Sequence, residues 1–266
     1  MTALRTFLTT HPAVLLVEVA VAKGSTPRDA GTMMLVAADA MWGTIGGGQL
    51  EFMAIDHARA LLSGRPLPLT LDVPLGPEIG QCCGGRTQLR FAPVDPVLAE
   101  TLRQRLRQEQ DAYPHVLVFG AGHVGRALAQ ALAPLPLQAT MIETRNQPVP
   151  DLPPAIALRH VAMPEVEVAH LSPGNAVVIM THDHALDFLI ARQALARGDL
   201  AYVGMIGSAT KRASFAHWLQ RDGGDPSLID RLVLPIGGST VRDKRPAVIA
   251  ALVAAELLTA LMPGKA

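Results

Sequence analysis

The only two cysteines of the chain, Cys82 and Cys83, are neighbours in the stretch GQCCGG, residues 80–85. Four chemistries are open to such a pair. A disulfide between them closes a small strained ring that acts as a redox switch. A thiolate is a nucleophile, although no fixed base is evident in the sequence. Two small apolar residues can simply pack in a turn. A soft sulfur donor can stand beside a soft or sulfur-rich ligand. The flanking glycines argue against packing alone, because they let backbone approach a ligand and offer N–H groups to an anion. Zinc fits poorly, since its cysteine ligands are spaced Cys-x2-4-Cys.

Other stretches pose related questions. GTIGGGQLE (43–51) holds three consecutive glycines, Gly46, Gly47 and Gly48. They cannot form a strand core; they suit a close-approach loop opening a helix, with Glu51 near its start, or a flexible turn. VFGAGHVG carries G-x-G-x-x-G at Gly120, Gly122 and Gly125, with His123 inside it. Glu143 lies about 20 residues further on, where a ribose-binding acid would sit. THDHALD gathers His182, Asp183, His184 and Asp187, and GSATKR ends in Lys211 and Arg212. A zinc site at THDH would need three or four ligands with outer support. GSTPRD (24–29), with Arg28, and GSTVRD (238–243) differ at one position. Either an Arg–Asp contact holds each loop, or both loops grip anionic groups of one ligand between two domains.

These residues need elements to position them. The 266 residues suggest one large or two modest domains. The expected fold is α/β. Residues 1–94 read as a smaller α+β domain with the glycine-rich and Cys-Cys loops. Residues 95–114 read as a polar helical linker, and 115–266 as a Rossmann-like, doubly wound parallel sheet. In the first part, 2–9 read as a short helix, 13–24 as a buried strand, 32–51 as a hairpin leading to the glycine turn, and 51–64 as a helix. LPLTLDVP and TQLRFAPV alternate like strands around the cysteine loop. In the last part, β-branched runs precede GAGHVG, ETRNQ, THDHALD and GSATKR. Strand, tight turn and helix is the context a dinucleotide fingerprint requires. A doubly wound sheet puts all four loops at one edge, around one crevice.

Lys plus Arg and Asp plus Glu both number 23, and aromatics are 4%. This excludes a basic footprint for nucleic acid and stacking platforms for bases. No basic run offers a membrane anchor. The start lacks the pattern of a signal peptide, and the apolar stretch 247–262 is short for a membrane span and contains Glu256. Two cysteines make no disulfide framework, so the expected location is a reducing cytoplasm.

KGSTPRDAG, GTIGGGQLE, LGPEIGQCCGG, VFGAGHVG, THDHALD, YVGMIGSATKR and LPIGGSTVRDKRPAVIAA follow one another along the chain. In that order they resemble the XdhC/CoxI family, accessory proteins of xanthine dehydrogenase. The resemblance implies a homodimeric chaperone, with no catalysis of its own, that binds the molybdenum cofactor in its molybdopterin form. It implies that the cofactor is held while a cysteine desulfurase replaces an oxo ligand of molybdenum with sulfido. Delivery to apo xanthine dehydrogenase follows. On this reading the glycine loops, Arg28 and Lys211 take the pterin and its phosphate. Cys82 or Cys83 meets the molybdenum, and the Rossmann crevice is free to take a nucleotide. Three rivals remain: an NAD(P)-dependent oxidoreductase using GAGHVG, a metal-dependent hydrolase using THDHALD, and a scaffold without a cofactor.

Overall fold

The computed structural model describes residues 2–76 and 84–262. The chain divides into two compact units, 1–108 and 109–266.

The first unit is built on a five-stranded antiparallel sheet. Its strands are β1 (Leu15–Lys23), β2 (Met33–Val36), β3 (Met41–Gly43), β4 (Thr70–Pro74) and β5 (Arg86–Pro93), in the order β3-β2-β1-β5-β4. Alternation along β1 sends successive side chains to opposite faces. Leu15, Val17 and Val19 pack on α2 (Gly48–Leu62) through Leu50, Ala54 and Ala58. Leu16 and Leu35 face the other way, onto Leu4 and Phe7 of α1 (Thr2–Thr10). The segment read from its polarity as a linker forms α3 (Pro96–Asp111), and its Leu102 joins that second cluster. A single buried leucine row is enough to seat a helix whose remaining faces are polar.

The second unit is a six-stranded parallel sheet of β6 (His115–Phe119), β7 (Gln138–Glu143), β8 (Ala157–His160), β9 (Ala176–Ile179), β10 (Tyr202–Met205) and β11 (Leu232–Val233). The order is β11-β10-β9-β6-β7-β8, with every pairing parallel. This is the Rossmann order, and the direction of winding reverses between β6 and β9. The central strands are apolar at nearly every position because helices cover both faces. On one face Val116 and Val178 pack on α4 (His123–Leu132) and α8 (Pro246–Leu261). On the other, Leu117, Phe119 and Val177 pack on α6 (His184–Arg197) and α7 (Ala209–Arg221); the short α5 (Pro164–Glu167) follows β8. Among the described residues, no helix is long and apolar enough to cross a membrane.

Candidate functional site

In the second unit the marked loops meet at the carboxyl edge of the sheet, around the point where the winding reverses. Gly120 follows β6 with φ +109°, and a Cβ there would stand 2.4 Å from the carbonyl of Met180, which follows β9. A Cβ on Gly125 would stand 2.0 Å from the Gly120 carbonyl, so α4 lies directly against the strand. The chain's own packing demands both glycines. Gly122 differs: its φ is −71°, and a Cβ would meet nothing within 4 Å. The bare backbone at Gly122, at the start of α4, faces open space.

Glu143, at the end of β7, is 4% exposed. Its carboxylate accepts hydrogen bonds from the N–H groups of Ala121, Thr144 and Arg145 and from Nε and Nη2 of Arg145, five donors at 2.9–3.0 Å. Burial alone would push its pKa up. The Arg145 guanidinium, the Arg145 and Ala121 N–H groups and the arginine charge outweigh that, and lower it to about 2. The residue in the ribose-binding position thus ties the glycine loop to the end of β7. A cleft of about 310 Å³ opens here, lined by Gly122, His123, Arg126, Glu143, Arg145 and the turn at 147–150.

The other polar loops of this edge are tied down internally. Asp183 caps α6 through the N–H groups of Ala185 and Leu186. Asp187 is fully buried, accepts from the Thr181 N–H and hydroxyl, and pairs with Lys211, which also donates to the Ile206 carbonyl. Arg212 spends its guanidinium on the carbonyls of Ile229, Leu232 and Leu234. His123, His182 and His184 are exposed. Among the described residues, no three His, Cys, Asp or Glu side chains gather to hold a metal ion. Asp243 pairs with Arg245, while Arg242 and Arg28 have no polar partner among the described residues. Neither GST-x-RD loop is closed by its own arginine and aspartate.

In the first unit three loops converge. A Cβ on Gly46, where φ is +123°, would stand 2.9 Å from the Pro27 ring and 3.3 Å from the Arg28 side chain. A Cβ on Gly85 would stand 2.2 Å from the Ser25 carbonyl. Loops 24–29, 43–48 and 84–85 therefore touch. Glu51 shapes the middle one: a single carboxylate oxygen accepts from the Thr44 hydroxyl and the N–H groups of Ile45 and Gly47. Among the described residues nothing lies within 4 Å of where a Cβ on Gly47 or Gly84 would stand, and Gly48 opens α2. Cys82 and Cys83, which precede Gly84 in the sequence, lie outside the described residues.

Arg126 escaped the sequence reading. A signal was available, since Arg126 stands four residues after Gly122 and so one helical turn into α4.

Two family models match this chain. One, described as the XdhC Rossmann domain, matches residues 116–257; the other, described as the XdhC and CoxI family, matches residues 8–73. The chain belongs to the XdhC and CoxI family. A family relative from Escherichia coli strain K12, described as the uncharacterized protein YqeB, is 30% identical over 246 residues. That match takes in 89% of this chain but only 41% of the relative's length. A crystal structure described as a xanthine dehydrogenase from Bacillus halodurans is similar with a TM-score of 0.78 and 20% identity, over 99% of this chain and 96% of that one. At that identity the likeness establishes the fold.

Proposed function

We propose that the chain is an accessory protein of xanthine dehydrogenase maturation that carries the molybdenum cofactor as cargo. It receives the cofactor, holds it while a cysteine desulfurase exchanges an oxo ligand of molybdenum for sulfido, and passes it to the apo enzyme. Family membership supports the maturation role. The observation that carries the cofactor reading is the convergence in the first unit of loops 24–29, 43–48 and 84–85, which carry Arg28, Gly47 and Gly84. Among the described residues Arg28 has no polar partner, and nothing lies within 4 Å of where a Cβ on either glycine would stand. That is chemistry a pterin phosphate can use: a guanidinium without a partner among the described residues, beside bare glycine backbone that allows close approach, the Gly47 and Gly84 N–H groups themselves donating to Glu51 and the Leu75 carbonyl. In this proposal Cys82 or Cys83, next to Gly84 in the sequence, supplies a soft sulfur contact to molybdenum. Lys211 and Arg212 are left out of the cargo site because they are engaged within the second unit, Lys211 with the buried Asp187 and the Ile206 carbonyl and Arg212 with three carbonyls.

The test is activation of apo xanthine dehydrogenase by molybdenum cofactor, cysteine and a cysteine desulfurase, with and without the protein. The expected result is activation by the wild-type chain and loss of most of it when Cys82→Ala and Cys83→Ala are combined. Full activation by that double variant would remove the sulfur contact. Activation that also survives Arg28→Gln and Gly47→Ala would favour a scaffold without cargo.

A further inference from the structure

The cleft beside Gly122 contains a cation without a partner among the described residues. Arg126 makes no hydrogen bond or ion pair among the described residues, and its Nε is buried without a partner. Buried donors are nearly always satisfied, so an orphaned one at a cleft points to an absent acceptor. Arg145, on the same cleft, gives Nε–H and one Nη2 hydrogen to Glu143 and is 41% exposed, which leaves three N–H groups for a ligand. The lining thus sets two guanidinium groups against one carboxylate, and that carboxylate is saturated by five donors of the chain. An unsubstituted ribose hydroxyl would find no free acceptor at Glu143. A phosphate would find two guanidinium groups.

We propose that this cleft binds a nucleotide that carries a phosphomonoester on its ribose, with the phosphate held by Arg126 and Arg145. The volume of about 310 Å³ is in the range of small-molecule sites, and Pro148, Val149 and Pro150 provide an apolar wall for a base. The bare face of Gly122 leaves room for further phosphates. The same chemistry belongs to a 2′-phosphate, as in NADP, and to a 3′-phosphate, as in coenzyme A. This site lies in the second unit and does not depend on the cofactor-carrier reading.

Isothermal titration of the 266-residue chain with 2′,5′-ADP, 3′,5′-ADP and 5′-AMP tests it. One of the two bisphosphates is expected to bind at least about tenfold tighter than 5′-AMP, the margin of a charge-assisted contact. In R126Q, checked for folding by circular dichroism, the margin is expected to vanish. The preferred bisphosphate identifies the position of the phosphate. Equal binding of all three, no binding of any, or a margin that survives in folded R126Q would overturn the proposal. Should R126Q not fold, the comparison of the three ligands on the wild-type chain still decides.

Discussion

Arg145 folds back on Glu143, two residues before it, through side-chain hydrogen bonds of 3.0 and 2.9 Å, while the same carboxylate holds the Ala121 N–H at 2.9 Å. One buried charge thus fastens the glycine loop of β6 to the end of β7. The folded pKa of about 2 lies below the ordinary 4.5, so the ionised form favours the folded state. Its stabilisation is fully present above about pH 4.5 and is lost as pH falls toward about 2, with an amplitude of about 2–4 kcal/mol. Denaturant titrations across that window should show a steeper acid loss for the wild type than for Glu143→Gln. Parallel acid limbs would contradict this role.

The three fingerprint glycines should separate by substitution. Gly125→Ala places a methyl 2.0 Å from the Gly120 carbonyl, which forces α4 off the strand. A loss of about 1–3 kcal/mol or more is expected in thermal unfolding. Gly122→Ala meets nothing, and its φ suits alanine, so the expected change is within about 0.5 kcal/mol. Equal destabilisation by the two would show that the close packing is misassigned.

Lys211 and Asp187 form a buried pair between α7 and α6, with side-chain exposures of 10% and 0%. Lys211→Met leaves a buried carboxylate with only Thr181 as a donor among the described residues. The expected cost is about 3–5 kcal/mol. Adding Asp187→Asn removes the stranded charge, keeps an acceptor for Thr181, and should recover part of the loss. A double variant no more stable than Lys211→Met would rule out charge burial as the cause.

In the first unit, stability and binding should come apart. Arg28→Gln removes an exposed side chain with no polar partner among the described residues and is expected to shift stability by less than about 0.5 kcal/mol while weakening cofactor retention. Glu51→Ala removes the acceptor for the Thr44 hydroxyl and the Ile45 and Gly47 N–H groups, and should cost about 1–3 kcal/mol and also weaken retention. Calorimetry alongside a retention assay checks both.

Much of the second unit is legible in the sequence because its central strands are buried on both faces. The runs before Gly120, Thr181 and Ile206 are mostly apolar and form β6, β9 and β10, and the more mixed run before Glu143 forms β7. The strand β8 was not legible: it is a four-residue edge strand, mostly exposed, so no apolar run announces it. At the site, residue types marked the loops but could not give their partners. Glu143 stands where a ribose acid would stand, yet its oxygens are filled because Arg145 turns back on it. Lys211 and Arg212 look alike in GSATKR, yet one neutralises a buried aspartate and the other clamps three carbonyls. Gly46 and Gly85 are each glycine because another loop passes within 3 Å of where a Cβ would lie, a fact of tertiary packing that composition does not carry.

The central claim is that the chain carries the molybdenum cofactor, and direct retention tests it most simply. The purified chain is mixed with molybdenum cofactor, desalted, and the protein fraction assayed for molybdenum and oxidised pterin. The account predicts near-stoichiometric retention of both, lost when Arg28→Gln and Gly47→Ala are combined in a folded protein. A protein fraction free of molybdenum and pterin would contradict it.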